Sequence, residues 1–173
     1  MRIFGLFLLF TVMAAAPARA ASPAELISDF RSQHGERRVV TDEALTRVAR
    51  EQANAMAAKD VLDHDVLGPF NRRAARVGAA HAAENIAYGY DNFTKTLNQW
   101  INSSGHRQNL LMKDATRVGI ASARSASGRT YWAMAIAGGY DAPRRAGAKT
   151  PHSGKTKDSP SSKCRLKVLN LCF

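Results

Sequence analysis

The sequence predicts an α+β domain, on three observations. Apolar residues recur at helical spacing over residues 42–60 and 94–103, and two alternating segments near residues 118–137 form a hairpin pattern. Between them, strand-like and helix-like stretches follow one another without the regular βαβ repetition of a parallel-sheet protein. No internal repeat is visible.

The elements follow in order. Ser22-Pro23-Ala24-Glu25 supplies a capping hydroxyl, a proline at the first helical position and a carboxylate able to reach back, so a helix starts here and Gly35 ends it. A second helix is predicted from Asp42 to Asp60. Leu45, Val48, Ala49, Ala53 and Met56 share one face, with Glu43, Arg47, Arg50, Glu51 and Lys59 largely on the other. It delivers His64 to a loop. Glu84 to Tyr90 places Ile86, Tyr88 and Tyr90 on one alternation and predicts a strand. Thr94 to Ser103 returns to helical spacing through Leu97, Trp100 and Ile101, with Gly105 breaking the helix before His106. Val118–Ala123 and Thr130–Ala137, joined across Ser125-Ala126-Ser127-Gly128, predict the hairpin.

The ends of the chain have a different character. Arg2, an apolar run from Ile3 to Ala16 and Ala18-Arg19-Ala20 read as a signal peptide over residues 1–20, with Ala21 opening the mature protein. A membrane anchor needs roughly 20 apolar residues, and Pro17 stops this run short. No later segment could span a bilayer, so the protein is expected to be exported to the periplasm or the exterior. From residue 143 to 173 the periodic pattern disappears into Pro, Gly, Ser, Thr and Lys, the composition of a flexible chain. Cys164 and Cys172 lie in this tail. They could close a small disulfide loop in an oxidising compartment, but neither staples the domain at 21–142.

The formal charge of +11 is mostly a property of the tail. Residues 143–173 hold eight Lys or Arg against Asp158, a net +7, and Arg2 and Arg19 belong to the signal; +2 remains for residues 21–142. A nucleic-acid-binding domain would carry its basicity on folded structure, so that class is excluded. The tail is instead suited to attraction by anionic surfaces, or simply to solvation.

The residues able to carry chemistry are His64 in Asp-His-Asp, Glu84 in Ala-Glu-Asn-Ile-Ala, and His106 after Ser-Ser-Gly. Imidazole nitrogen is the commonest transition-metal ligand, and a carboxylate can orient a ring or act as a base. Each has a plainer reading. His64 could be a helix-end group, Glu84 a strand-edge acid, and His106 the cap of a short helix over Leu110 and Leu111. Trp100 and Trp132 fall within apolar periods and are expected in the core. Asn85 and Asn109 are expected to tie loops to backbone, and Arg107 to pair with an acid. His34, His81 and His152 are left outside the site, as a helix-end, a loop and a tail residue. Two glycosylation-type tripeptides, at Asn92 and Asn102, carry little weight. Ser103, Ser104 and His106 lack the nucleophile elbow of a serine hydrolase.

Taken together, these blocks resemble the CAP superfamily, the SCP-like domain shared by cysteine-rich secretory proteins, antigen 5 and plant pathogenesis-related proteins, in a short bacterial form. The likeness runs from about Ser22 to Tyr140. It includes Phe30-Arg31-Ser32-Gln33-His34-Gly35, Glu84-Asn85-Ile86-Ala87, Gly105-His106-Arg107-Gln108-Asn109-Leu110-Leu111, Arg117-Val118-Gly119-Ile120 and Tyr131-Trp132-Ala133-Met134. The resemblance implies an α-β-α sandwich with a small antiparallel sheet between helical layers. It also implies a cleft in which His64, Glu84 and His106 match three of the four lining positions. The fourth, a second Glu in many eukaryotic members, is Ser103 here, and a hydroxyl neither neutralises a dication nor acts as a base at neutral pH.

Two classes of function follow, with a plainer third. One is a secreted binding module, expected to be a monomer, whose cleft takes a divalent cation, zinc foremost, through His64 and His106, with a lipid, sterol or other small hydrophobic ligand. The second is a metal-assisted hydrolase of envelope polymer or peptide, in which His64 and His106 hold metal and Glu84 activates water. The third is an envelope or surface interaction protein attached through its basic tail. Loss of the second Glu favours binding.

Overall fold

The computed structural model describes residues 20–140, and in the separate unit formed by residues 142–173 it describes only the backbone pairing of Lys167–Val168 (β5) with Leu171–Cys172 (β6), which is antiparallel. The expected signal peptide at residues 1–20 (all but its last residue), the expected end of the domain at 141–142, the expected flexible tail and a possible Cys164–Cys172 disulfide lie outside the described residues.

In the first unit the order is α1 (Pro23–Gln33), β1 (Val40–Thr41), α2 (Glu43–Lys59), α3 (Phe70–Ala74), a 3-10 turn (Ala75–Val77), β2 (His81–Tyr88), α4 (Phe93–Asn102), α5 (Ser104–Leu110), β3 (Ala115–Arg124) and β4 (Thr130–Gly138). Capping explains the helix starts. The Ser22 hydroxyl accepts from the Glu25 amide while the Glu25 carboxylate accepts from the Ser22 amide; Asp42 and Asn92 accept from the amides of Leu45 and Lys95. Each such cap is worth about 0.5–2 kcal/mol. Asp60 ends α2 in the left-handed region at φ 52°, a conformation that Asp tolerates better than most residues, and its carboxylate accepts from the Tyr131 hydroxyl at 2.9 Å.

The sheet runs β1-β3-β4-β2. Its three long strands are antiparallel, as the hairpin pattern predicts, and the two-residue β1 adds a parallel edge through Val40↔Arg117 and Thr41↔Val118. The sheet's two faces differ in bulk. Val118, Ile120, Met134 and Ile136 point to one side and pack with Ile27 and Phe30 of α1, Leu97 and Trp100 of α4, and Leu110 of α5. Gly119, Ala121, Ala133, Ala135 and Ala137 alternate to the other side, where α2 lies with Leu45, Val48, Ala49, Ala53 and Met56. These small residues allow α2 to approach closely. A Cβ at Gly119 would stand 2.1 Å from the Leu45 carbonyl carbon and the Thr46 nitrogen.

Arg31 of α1 ties the second helical layer to the sheet. Fully buried, its guanidinium donates to the carbonyls of Arg37, Leu110, Met112 and Ala115 at 2.6–3.2 Å, joining α1, the end of α5 and the start of β3. Burial pushes its pKa down.

For the site, β2 matters most because it is an edge strand with a helical layer on each side. Its partner strand β4 lies along one edge. On the other, the carbonyls of Glu84 and Ile86 accept from Asn109 Nδ2 at 3.1 Å and Trp100 Nε1 at 3.2 Å. Side-chain donors thus satisfy backbone that an unpaired edge would leave open.

Candidate functional site

Glu84 sits in the middle of β2, and its residue surface is only 6% exposed. A carboxylate so placed needs a cation. Arg73 of α3, itself buried, supplies it through a two-pronged pair, Nη1 to Oε2 at 2.8 Å and Nη2 to Oε1 at 3.1 Å. The same guanidinium donates to the His64 carbonyl at 2.9 Å and the Gly68 carbonyl at 3.3 Å, while Gln52 Nε2 of α2 donates to the Asp63 and His64 carbonyls. The loop carrying His64 is therefore held from both sides. His64 Nδ1 lies 2.8 Å from Glu84 Oε1, and its side chain is 51% exposed. An ionised carboxylate can only accept, so Nδ1 donates and Nε2 is the ring atom left for a ligand.

His106 arrives from the other helical layer, in the first turn of α5. Asn85 Nδ2 donates to its carbonyl at 3.0 Å, and Asn109 Nδ2 donates to Asn85 Oδ1 at 2.9 Å as well as to the Glu84 carbonyl. These asparagines bond to backbone as expected, but they clamp helix α5 to the edge strand where the sequence suggested loops. Nδ1 of His106 is buried and has no hydrogen-bond partner among the described residues. Ser103 stands at the junction of α4 and α5 and lines a groove of about 550 Å³ with Tyr90, Lys95, Asn98, Gln99 and Asn102. Among the described residues, no three His, Cys, Asp or Glu side chains are arranged to hold a metal ion.

The two imidazoles are driven apart in pKa. The hydrogen bond to Glu84 raises His64, outweighing burial, whereas burial lowers His106 and the nearby His64 charge lowers it further. His64 therefore contributes stability in full below the unfolded pKa of about 6.5 and loses it as pH rises through its raised value. His106 behaves oppositely, favouring the fold above about pH 6.5 and losing that contribution as pH falls through its depressed value. Imidazole proton NMR should find the His64 midpoint above that of free histidine and the His106 midpoint below it. Coincident midpoints would contradict the described geometry.

Several sequence expectations change in the structure. Arg107 pairs with no acid among the described residues; its Nη1 donates to the Ile101 carbonyl at 3.1 Å. Gly105 does not break a helix: the break falls at Ser103, whose backbone is extended, and Gly105 lies inside α5. His81 opens β2 instead of lying in a loop. Trp100 is fully buried, and Trp132 is partly buried against the same core. Sequence reasoning missed Arg73. The available signal was the demand of a carboxylate in the middle of a buried strand for a nearby cation, with Arg72-Arg73 following the His64 loop.

The helical layers on both faces of a small, largely antiparallel sheet form the α-β-α sandwich implied by the resemblance. Residues 24–136 match the cysteine-rich secretory protein family, CAP, and the chain belongs to that family. It is 31% identical over 107 residues to YkwD of Bacillus subtilis (strain 168), covering 60% of this chain and 42% of that protein. The chain thus spans less than half the length of that relative. Among solved structures, an extracellular protein containing an SCP domain from Bacillus anthracis is 28% identical with a TM-score of 0.58, over 66% of this chain and 38% of that one. An outer surface protein from Borrelia burgdorferi shares the fold at 19% identity with a TM-score of 0.60, over 65% of this chain and 86% of that one. No helix among the described residues is long and apolar enough to cross a membrane.

Proposed function

We propose that this chain is an exported binding module that takes a divalent cation, zinc foremost, between His64 and His106. The observation that carries the reading is the 2.8 Å hydrogen bond from His64 Nδ1 to Glu84, which fixes the half-exposed ring and leaves Nε2 as its free nitrogen. A carboxylate placed behind an imidazole in this way orients the ring and raises its basicity. In such a two-imidazole site Glu84 would serve as an orienting acceptor, and the other coordination positions would be left to water or ligand. A bound cation would supply Lewis acidity at that point.

The same geometry weighs against the hydrolase reading. Both oxygens of Glu84 are engaged by Arg73, and its side chain is almost wholly buried, so it has little capacity to take a proton from water. A lipid, sterol or other apolar ligand at this face would meet Val61, Leu62 and Leu67 on the loop around His64, which are 39%, 41% and 48% exposed.

Zinc titration calorimetry on the mature protein tests the reading. His64→Ala and His106→Ala should each remove measurable binding. Wild-type affinity should begin to fall as pH drops through the raised His64 pKa, above the unperturbed value of about 6.5, because protons compete for the ligand nitrogen. Unchanged affinity in the double variant would place any metal elsewhere and end the proposal.

Export is supported by the signal pattern at residues 1–20. The basic segment 143–173 supplies attraction to anionic envelope surfaces, since its +7 net charge is screened only beyond a Debye length of about 8 Å at physiological ionic strength. Full-length protein should bind anionic vesicles at low salt and a version ending at Ala142 should not; equal retention of the two would remove the tail's role.

A further inference from the structure

The groove beside Ser103 has a chemistry that neither the fold nor the cation site requires. It is lined by Tyr90, Lys95, Asn98, Gln99, Asn102 and Ser103, and its volume of about 550 Å³ lies within the range of roughly 300–1,000 Å³ usual for small-molecule sites. An exposed helix face is ordinarily stabilised by Glu and Lys, which favour the helix and pair at i, i+4. The exposed side of α4 instead offers carboxamides, and its only charged residue is Lys95. Asn98 is a poor helix former in mid-helix, away from the cap supplied by Asn92. Among the described residues, the side chains of Lys95, Asn98, Gln99 and Asn102 have no hydrogen-bond partner. A local sequence choice that costs helix propensity without compensating contacts marks a surface with another task.

We propose that this groove binds an oligosaccharide bearing acidic groups. A carboxamide presents two N–H donors and a carbonyl acceptor, matching sugar hydroxyl and acetamido groups that both donate and accept. Tyr90, 44% exposed, offers a flat apolar ring on which the C–H face of a pyranose can lie. Its position is preset, because Trp132 Nε1 donates to the Tyr90 carbonyl at 2.6 Å and the following α4 begins at Phe93. Lys95 gives the groove one positive charge, and no carboxylate lines it, so a sugar carboxylate is favoured over a cationic ligand. A nucleic acid strand would demand several cations along its backbone, and here there is one. Ser103, the fourth of the cleft positions implied by the resemblance, lines it, but His64, Glu84 and His106 do not, so the inference does not depend on a cation being held by the histidines.

Calorimetry of the full chain with two soluble tetrasaccharides tests it, one of N-acetylglucosamine alone and one alternating N-acetylglucosamine with N-acetylmuramic acid. The acidic sugar should bind more tightly. Tyr90→Ala and Asn98→Ala should each weaken it about tenfold, the scale set by losing one stacking platform or one hydrogen-bonded amide. Lys95→Gln should bring the two sugars to equal affinity. His64→Ala and His106→Ala should leave sugar binding unchanged even where they abolish zinc binding. Absence of binding by both tetrasaccharides, equal affinity of the wild type for the two, or indifference to Tyr90→Ala and Asn98→Ala would overturn the proposal. Loss of sugar binding in the histidine variants would overturn it too, by moving the ligand to the imidazole face.

Discussion

Gly119→Ala should destabilise the domain by on the order of 4 kcal/mol or more, a large part of the stability of a domain this size. The cause is steric. The new methyl would stand 2.1 Å from two backbone atoms of α2, where no side-chain rotation can give way. Either β3 or α2 must move, and moving α2 draws Leu45 and Val48 off Ala135 and Ala137. Gly105→Ala provides the contrast, because a Cβ there meets no atom within 4 Å and alanine is the better helix former. It should gain roughly 0.5–1 kcal/mol. Urea denaturation measures both. A Gly119→Ala protein unfolding with the wild type would show that α2 does not lie on β3 as described.

Arg73→Met should cost about 3–5 kcal/mol, because it leaves the buried Glu84 carboxylate without its two-pronged partner. Arg73→Lys should recover only part of the loss, since an ammonium cannot serve both carboxylate oxygens and the two loop carbonyls in the same fork. The double variant Arg73→Met/Glu84→Gln should be more stable than Arg73→Met alone, and a double-mutant cycle would measure the coupling. A second readout is local. Arg73 holds the His64 pKa down, so its removal should move the His64 midpoint upward by NMR. Wild-type stability in Arg73→Met would mean that Glu84 is not buried against it.

The parts of this fold that were legible in the sequence are those whose signal is local. The reciprocal cap of Ser22 and Glu25, the helical period of α2 and the alternation of β4 depend on residues a few positions apart, and each element forms within a few residues of its expected place. The parts that were not legible depend on distant partners. β1 has two residues and exists because β3 lies beside it; α3 has five and is anchored by Arg73 reaching Glu84. Strand β2 begins at His81, before its sequence pattern, because Ala82 and Ala83 give no alternation of size yet pair with Ala137 and Ile136. The site shows the same division. His64, Glu84 and His106 stood out through resemblance, while their charge balance depended on Arg73, eleven residues from Glu84 and in a segment without a periodic pattern.

His64 and His106 descend from opposite slices of the sandwich, one from the loop after α2 and one from α5, and the charge of the first is felt by the second. Any ligand gripped by both would act as a staple across the sandwich. Unfolding separates its two halves and releases it, so occupancy would raise resistance to heat and proteolysis without altering a single core contact. The gain is set by mass action alone, about 2.7 kcal/mol when free ligand stands at 100 times its dissociation constant. The durability of such a protein would then follow the composition of the fluid around it.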